Sequence, residues 1–156
     1  MRIIFMGTPM FALPSLEKIY KEHEVIAVFT KADKPNARGK KINYSPIKEF
    51  ALANNLRIYQ PKTFKDEALI EEIENMQPDL IVVVAYGKIL PKEVLDIPKY
   101  GIINLHSSLL PRFRGAAPIN AAIINGDKKS GVSIMYVEEE LDAGDVILQE
   151  ETEISD

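Results

Sequence analysis

The chain of 156 residues contains no cysteine and only two histidines. The missing cysteines exclude disulfides, thiolate metal sites and cysteine nucleophiles together, and so few imidazoles argue against a transition-metal centre, so no metal is expected. The same absence suits a reducing compartment, and we expect a cytoplasmic protein. The opening run Arg2-Ile3-Ile4-Phe5-Met6 is too short for a signal peptide. The longest apolar run, Leu80 to Tyr86, falls far below membrane-spanning length, so no membrane partner is expected. Also missing is the Gly-x-Gly-x-x-Gly fingerprint: Gly7-Thr8-Pro9 stands where it would be, and Pro9 lacks a backbone donor that a phosphate cradle uses. Nicotinamide and flavin binding are therefore disfavoured, and Gly7 reads either as a turn into the first helix or as part of a ligand loop. No Gly-x-Ser-x-Gly elbow offers a serine nucleophile. The formal charge of −4 argues against a surface coated in nucleic acid but leaves room for a local basic patch.

What is present is a globular composition. A hydrophobic content of 46% in one domain's length rules out disorder and suffices for a real core. Short apolar runs alternate with amphipathic segments, the pattern of a parallel sheet covered by helices. The pattern predicts strands at Arg2–Met6, Glu24–Thr30, Arg57–Tyr59, Leu80–Ala85 and Gly101–Leu105. It predicts helices at Pro14–Lys21, Ile47–Asn54, Asp66–Met76 and Ala116–Asn125, with a helical turn at Pro91–Leu95. Leu80–Ala85 is apolar without alternation, as a central strand covered on both faces must be. Val132–Glu138 and Asp145–Glu150 are joined by too few residues for a crossover helix, so they form an antiparallel edge pair. The expected class is α/β: a Rossmann-like open, mostly parallel sheet with helices on both faces. Ser155 and Asp156 are N-cap residue types with no helix behind them, and we expect a longer parent chain.

The densest chemistry lies in Asn104-Leu105-His106-Ser107-Ser108-Leu109-Leu110-Pro111-Arg112-Phe113. Residues two apart on a strand share a face, so Asn104 and His106 emerge side by side at a strand's carboxyl end, where open α/β sheets form their ligand crevice. A lone histidine there is commonly structural. Its neighbour Asn104, the carboxylates of Leu141-Asp142-Ala143-Gly144-Asp145 and the following Arg112 and Arg114 favour catalysis. An amide, an imidazole and a carboxylate suit group transfer through an oxyanion, with Asn104 and His106 as donors and Asp142 orienting the imidazole. Between Lys31 and Lys41 stand five basic residues (Lys31, Lys34, Arg38, Lys40 and Lys41) and one acidic, Asp33. Such a loop is either a solvated surface or a contact for phosphates.

At these residues the chain resembles the folate-dependent formyltransferases. The family pattern is an asparagine, one residue, a histidine, then Ser-Leu-Leu-Pro and a later Asp-x-Gly. Here those are Asn104, His106, Ser108-Leu109-Leu110-Pro111 and Asp142-Ala143-Gly144. The likeness extends through Phe5-Met6-Gly7-Thr8-Pro9, Arg38-Gly39-Lys40-Lys41, Val82 to Pro91 and Leu110 to Ile119, so it covers the whole chain. One departure is Ser107, where many relatives carry glycine or alanine.

The resemblance implies 10-formyltetrahydrofolate as co-substrate and initiator methionyl-tRNA as acceptor, its α-amino group taking the formyl group. It implies catalysis by Asn104, His106 and Asp142, and folate contacts at Tyr86, Gly87, Ile89, Leu90, Ser108, Leu109, Leu110 and Pro111. It places Arg38, Lys40 and Lys41 against the tRNA, with Arg38 inserted toward the acceptor end. We expect residues 1–156 to be the catalytic domain of a monomeric enzyme, short of its last helices and of a tRNA-gripping C-terminal domain. Rival readings are a sibling enzyme acting on a sugar amine or glycinamide ribonucleotide, a hydrolase releasing formate, and a non-catalytic folate- or nucleotide-binding module.

Overall fold

A computed structural model describes residues 1–35 and 41–155. The chain runs β1 (Arg2–Gly7), a 3-10 turn (Met10–Ala12), α1 (Leu13–Glu22), β2 (Glu24–Phe29), β3 (Lys34–Pro35), β4 (Ile42–Asn43), α2 (Pro46–Ala53) and β5 (Ile58–Tyr59). It continues through α3 (Glu67–Asn75), β6 (Leu80–Val84), α4 (Lys92–Leu95), β7 (Ile102–His106), α5 (Pro118–Ile124), β8 (Lys129–Tyr136) and β9 (Val146–Glu153). Seven strands form one sheet in the order β5-β2-β1-β6-β7-β8-β9. The first five are parallel, and β8 and β9 each run antiparallel to the preceding neighbour. The expected mostly parallel sheet with an antiparallel edge pair is what forms.

Two apolar layers flank the sheet because successive side chains of a strand face opposite ways. Ile3 and Phe5 pack with Leu16, Ile47 and Ala51 on the side of α1 and α2. Ile4 and Met6 pack with Phe29, Ile73, Ile81 and Val94 on the side of α3 and α4. This double burial is why β1 and β6 read as unbroken apolar runs. Helix starts follow local chemistry: Ser45 Oγ accepts the Lys48 N–H with Pro46 in the first turn, and Asp66 accepts the Ala68 N–H.

Chain direction reverses its outward course between β1 and β6. From β1 the chain goes out to β2 and β5, then returns to β6 and proceeds the other way to β7. That is the topological switch point, where open sheets bind ligands beyond the carboxyl ends of their strands. Gly7 sits there, but a Cβ on it would lie 2.8 Å from the Val84 carbonyl oxygen and 2.9 Å from the Phe5 ring. Gly7 is thus required for close approach of β1 to β6.

Most element ends shift by a residue, and the larger departures from the sequence expectation lie in three places. The last helix starts at Pro118 rather than Ala116, because Gly115 (φ 86°) and Ala117 (φ 56°) are left-handed and cannot extend it backwards. The segment from Lys31 to Lys41, expected as loop throughout, enters the short antiparallel pairing of Lys34 with Asn43 and Pro35 with Ile42. β8 and β9 are each eight residues long, and β8 begins three residues earlier than its apolar pattern starts.

Tyr86, just beyond β6, packs edge-on against Phe64 in the α3 and α4 layer and is 1% exposed. Its hydroxyl has no hydrogen-bond partner among the described residues, and burial pushes the phenol well above its ordinary range. An orphaned buried polar atom costs roughly 1–3 kcal/mol. Tyr86→Phe should therefore raise stability by about 1 kcal/mol, seen as a higher urea midpoint at unchanged slope. A lower midpoint would show that the hydroxyl has found a partner such as an ordered water.

Candidate active site

β7 carries the central pair. Ile102 belongs to the α3 and α4 layer, so Asn104 and His106, in phase with it, point to that same side of the sheet. Asn104 lies opposite Val83 of β6 and Met135 of β8, and His106 opposite Ser133. The half-buried Asn104 amide makes no hydrogen bond among the described residues, whereas the His106 ring is only 7% exposed.

The structure brings the carboxylate to the imidazole across 36 positions of sequence. Asp142 Oδ2 stands 3.8 Å from His106 Nδ1 and accepts the Gly115 N–H at 2.7 Å. Both side chains are more than nine-tenths buried. Asp142 reaches this place from a tight β8–β9 loop in which it is itself left-handed (φ 50°). A Cβ at Gly144 in the same loop would collide with the Tyr136 carbonyl, which explains the glycine of Asp-Ala-Gly. His106 Nε2 is 2.9 Å from the Phe113 carbonyl oxygen. That oxygen can only accept, so Nε2 carries the proton in this contact. Both ring nitrogens thus face oxygen atoms of the protein, and the ring is turned inward rather than toward open solvent.

The turn from Ser108 to Gly115 is held from three sides. The Ser108 hydroxyl, fully buried, donates to the Arg112 carbonyl at 2.6 Å. Ser133 Oγ donates to the Ser108 carbonyl (2.6 Å) and accepts from the Leu110 N–H (3.1 Å) and Gln149 Nε2 (2.9 Å). Gln149 Nε2 also reaches the Leu110 carbonyl at 2.9 Å. Ser133 and Gln149 were not singled out from sequence. The available signal was register: Ser133 shares the inward phase of β8 with Gly131 and Met135, a polar residue in a buried row.

Among the residues expected around folate, Ser108, Leu110 and Leu90 are buried, as is the Tyr86 side chain, while Ile89 is 88% exposed. The segments that follow β6 and β7 leave neighbouring parallel strands at one edge, since Val84 pairs with Leu105. Gly87 is left-handed (φ 71°), and the Lys31 ammonium lies 2.5 Å from where its Cβ would be. Arg38 and Lys40 lie outside the described residues; Lys41 is exposed. No group of three or more metal-ligating side chains exists among the described residues, and none of the described helices is long and apolar enough to cross a membrane. An open depression of ≈ 500 Å³ lined by Arg2, Asp79 and Asp96 lies at the opposite, amino edge of the sheet.

Residues 1–156 match the formyl transferase family model, and the chain belongs to that family. It is 89% identical over its whole length to a methionyl-tRNA formyltransferase of Fusobacterium nucleatum, covering 50% of that protein. It is 57% identical to one from Alkaliphilus oremlandii, covering 99% of this chain and 50% of the relative. The chain thus spans about half the length of the curated relatives it matches. Among solved structures it resembles a phosphoribosylglycinamide formyltransferase from Bacillus halodurans (TM-score 0.78, 25% identity, 99% of this chain and 81% of that one). It also resembles a formyltetrahydrofolate deformylase from Pseudomonas syringae (TM-score 0.76, 27% identity, 99% and 51%).

Arg112 ties the site turn to the end of α5 through Asp127, at 2.9 Å. The Asn125 amide and then the Arg112 guanidinium hold the Asp127 carboxyl below the usual carboxylate range. A lowered native value means this tie stabilises the fold above the ordinary carboxylate range and is lost as pH falls through the lowered value. Asn125→Ala should raise the Asp127 titration midpoint toward its ordinary value, followed by carbon NMR of the carboxyl. An unmoved midpoint would refute the assigned cause.

Proposed function

We propose that this chain transfers a formyl group from 10-formyltetrahydrofolate to the α-amino group of methionyl initiator tRNA, in the cytoplasm. The observation that carries this reading is the meeting of Asp142 with His106 beside the unpartnered Asn104 amide, at the carboxyl edge of β7. The 89% identity to a methionyl-tRNA formyltransferase supports this acceptor, against 25% to the glycinamide ribonucleotide enzyme.

The residues present suit a folate. Ile89 offers an exposed apolar surface after β6, and Asn104 offers free amide donors next to it in the sheet. Tyr86, Gly87 and Leu90, with Ser108, Leu109, Leu110 and Pro111, would complete the walls, Tyr86 through its backbone because its ring is in the core. The folate supplies the formyl carbon. The neutral amine attacks that carbon, a C–N bond forms, and negative charge develops on the formyl oxygen. Asn104 Nδ2 donates to that oxygen. His106 gives up its contact with the Phe113 carbonyl and donates there too. Asp142 holds the imidazole and supports proton transfer out of the amine; the proton that the amine loses ends on the folate nitrogen as the bond from that nitrogen to the formyl carbon breaks. Arg38, Lys40 and Lys41 would contact the tRNA phosphates.

Removing one oxyanion donor typically lowers turnover by ~10²–10³. Asn104→Ala and His106→Ala should each show a loss of that order when this chain is joined to the remaining half of the Fusobacterium relative. Turnover is read as formylation of charged initiator tRNA. Near-normal turnover in either variant would overturn the assigned roles. Faster formylation of an amino-sugar nucleotide or glycinamide ribonucleotide than of methionyl-tRNA would overturn the acceptor.

A further inference from the structure

The sequence from Lys31 to Lys41 is the basic part of an acidic chain, and the structure ties its two ends together outside the catalytic residues. Asp33 lies near the start of the segment and Lys48 beyond its end. Lys48 Nζ meets Asp33 Oδ2 at 2.5 Å, with both side chains largely shielded (13% and 22% exposed). Gln60, just past β5, joins the pair from a third element. Its Oε1 accepts from Lys48 Nζ at 3.0 Å, and its Nε2 donates to Asp33 Oδ1 and to the Lys31 carbonyl, both at 2.9 Å. Every polar atom of the Gln60 side chain is thereby used on the other two residues or on the start of the segment.

Further ties lie beneath. Thr30, fully buried, shares a hydrogen bond of 3.0 Å with Ser45, whose hydroxyl also caps α2. Thr8 accepts the Lys31 N–H at 3.2 Å. Lys48 in addition lies 4.1 Å from the centre of the Tyr44 ring. Residues 31–33 and 44–48 are therefore pinned to each other and to the sheet, and the antiparallel pairing of Lys34 with Asn43 starts directly above the pin. An ion pair this shielded and this well hydrogen-bonded fixes geometry more than it adds stability.

We propose that Asp33, Lys48 and Gln60 form a positioning clamp that sets where Lys31, Lys34 and Lys41 are presented, and so selects a large polyanionic acceptor. The three are positioning residues, and the inference rests on the tRNA reading given above. Its physical signature is independence from net charge. Lys48→Met removes a positive charge, Asp33→Asn a negative one and Gln60→Ala none. A field effect alone would weaken polyanion binding in the first, strengthen it in the second and leave the third unchanged. Loss of positioning weakens all three.

The test measures binding of uncharged initiator tRNA and of 5-formyltetrahydrofolate to this chain joined to the remaining half of the Fusobacterium relative, and to these variants of it, with hydrogen exchange of peptides covering Ile42–Tyr44. All three variants should lose roughly ten-fold in tRNA affinity, equivalent to ~1.4 kcal/mol. Folate-analogue binding should stay unchanged, exchange at Ile42–Tyr44 should quicken, and Lys48→Arg should recover part of the loss. Opposite effects of Lys48→Met and Asp33→Asn, or unaltered affinity in all, would overturn the clamp. If the unaltered joined protein shows no affinity for tRNA, the acceptor reading fails. Hydrogen exchange then decides the clamp alone: faster exchange in the variants supports it and unchanged exchange refutes it.

Discussion

Ser133 Oγ commits its one proton and both acceptor positions to the turn that leaves β7, and the geometry of the candidate site depends on that saturation. The hydroxyl is wholly buried, so each of those contacts replaces water that cannot reach it. With the Ser108 carbonyl and Leu110 N–H fixed, the Ser108 hydroxyl can reach the Arg112 carbonyl and the turn closes. The Phe113 carbonyl then arrives at His106 Nε2 and the Gly115 N–H at Asp142. A serine on the antiparallel strand therefore orders an imidazole and a carboxylate that it does not touch. This arrangement explains why β8 runs antiparallel beside β7. It puts Ser133 directly opposite His106 and returns the chain promptly through Asp142.

The same edge of the sheet carries two different kinds of support. On the β7 side, the polar contacts are buried backbone bonds that leave little freedom. On the β2 side, the ties centre on a charged pair and join residues 31–33 to Lys48 and Gln60. The division matches the work expected on each side. A reacting carbon needs donors placed within a fraction of an ångström, whereas a phosphate chain needs positive charge held in roughly the right place. The switch point between β1 and β6 lies between them, packed so closely that Gly7 admits no side chain.

Much of the fold was legible because period and punctuation agree. Buried strands read as unbroken apolar runs, Ser45-Pro46 and Asp66 open helices, and Asn104 with His106 obey the two-residue rule of a strand. What stayed hidden was of two kinds. Backbone conformations at Phe113, Gly115 and Ala117 are left-handed, and only the glycine announces it, so the last helix was expected two residues early. Partnerships between distant elements leave no local trace: Lys48 and Gln60 stand 15 and 27 positions from Asp33. Each of these residues, taken alone, reads as ordinary surface. Ser133 left a trace in its phase within β8, but a buried serine in a row with Gly131 and Met135 has no unique meaning until the turn it serves is known.

The inward imidazole bears directly on the chemistry. With Nε2 bonded to Phe113 and Nδ1 facing Asp142, His106 is held by the same turn that, in the proposed reaction, it would have to leave in order to donate to a developing charge. A carbonyl oxygen is replaced by a more strongly charged oxygen, and a charge-assisted hydrogen bond is about twice as strong as a neutral one. Under the proposed roles the driving force for the swap would appear only as the oxyanion forms, so the contact with Phe113 would leave the ground state in place and yield in the transition state. Asn104 would need no such exchange, because its amide has no partner among the described residues to give up. Of the two proposed donors, the amide would be ready before the acceptor amine arrives and the imidazole would join as the charge develops, which is the order that catalysis by differential binding requires.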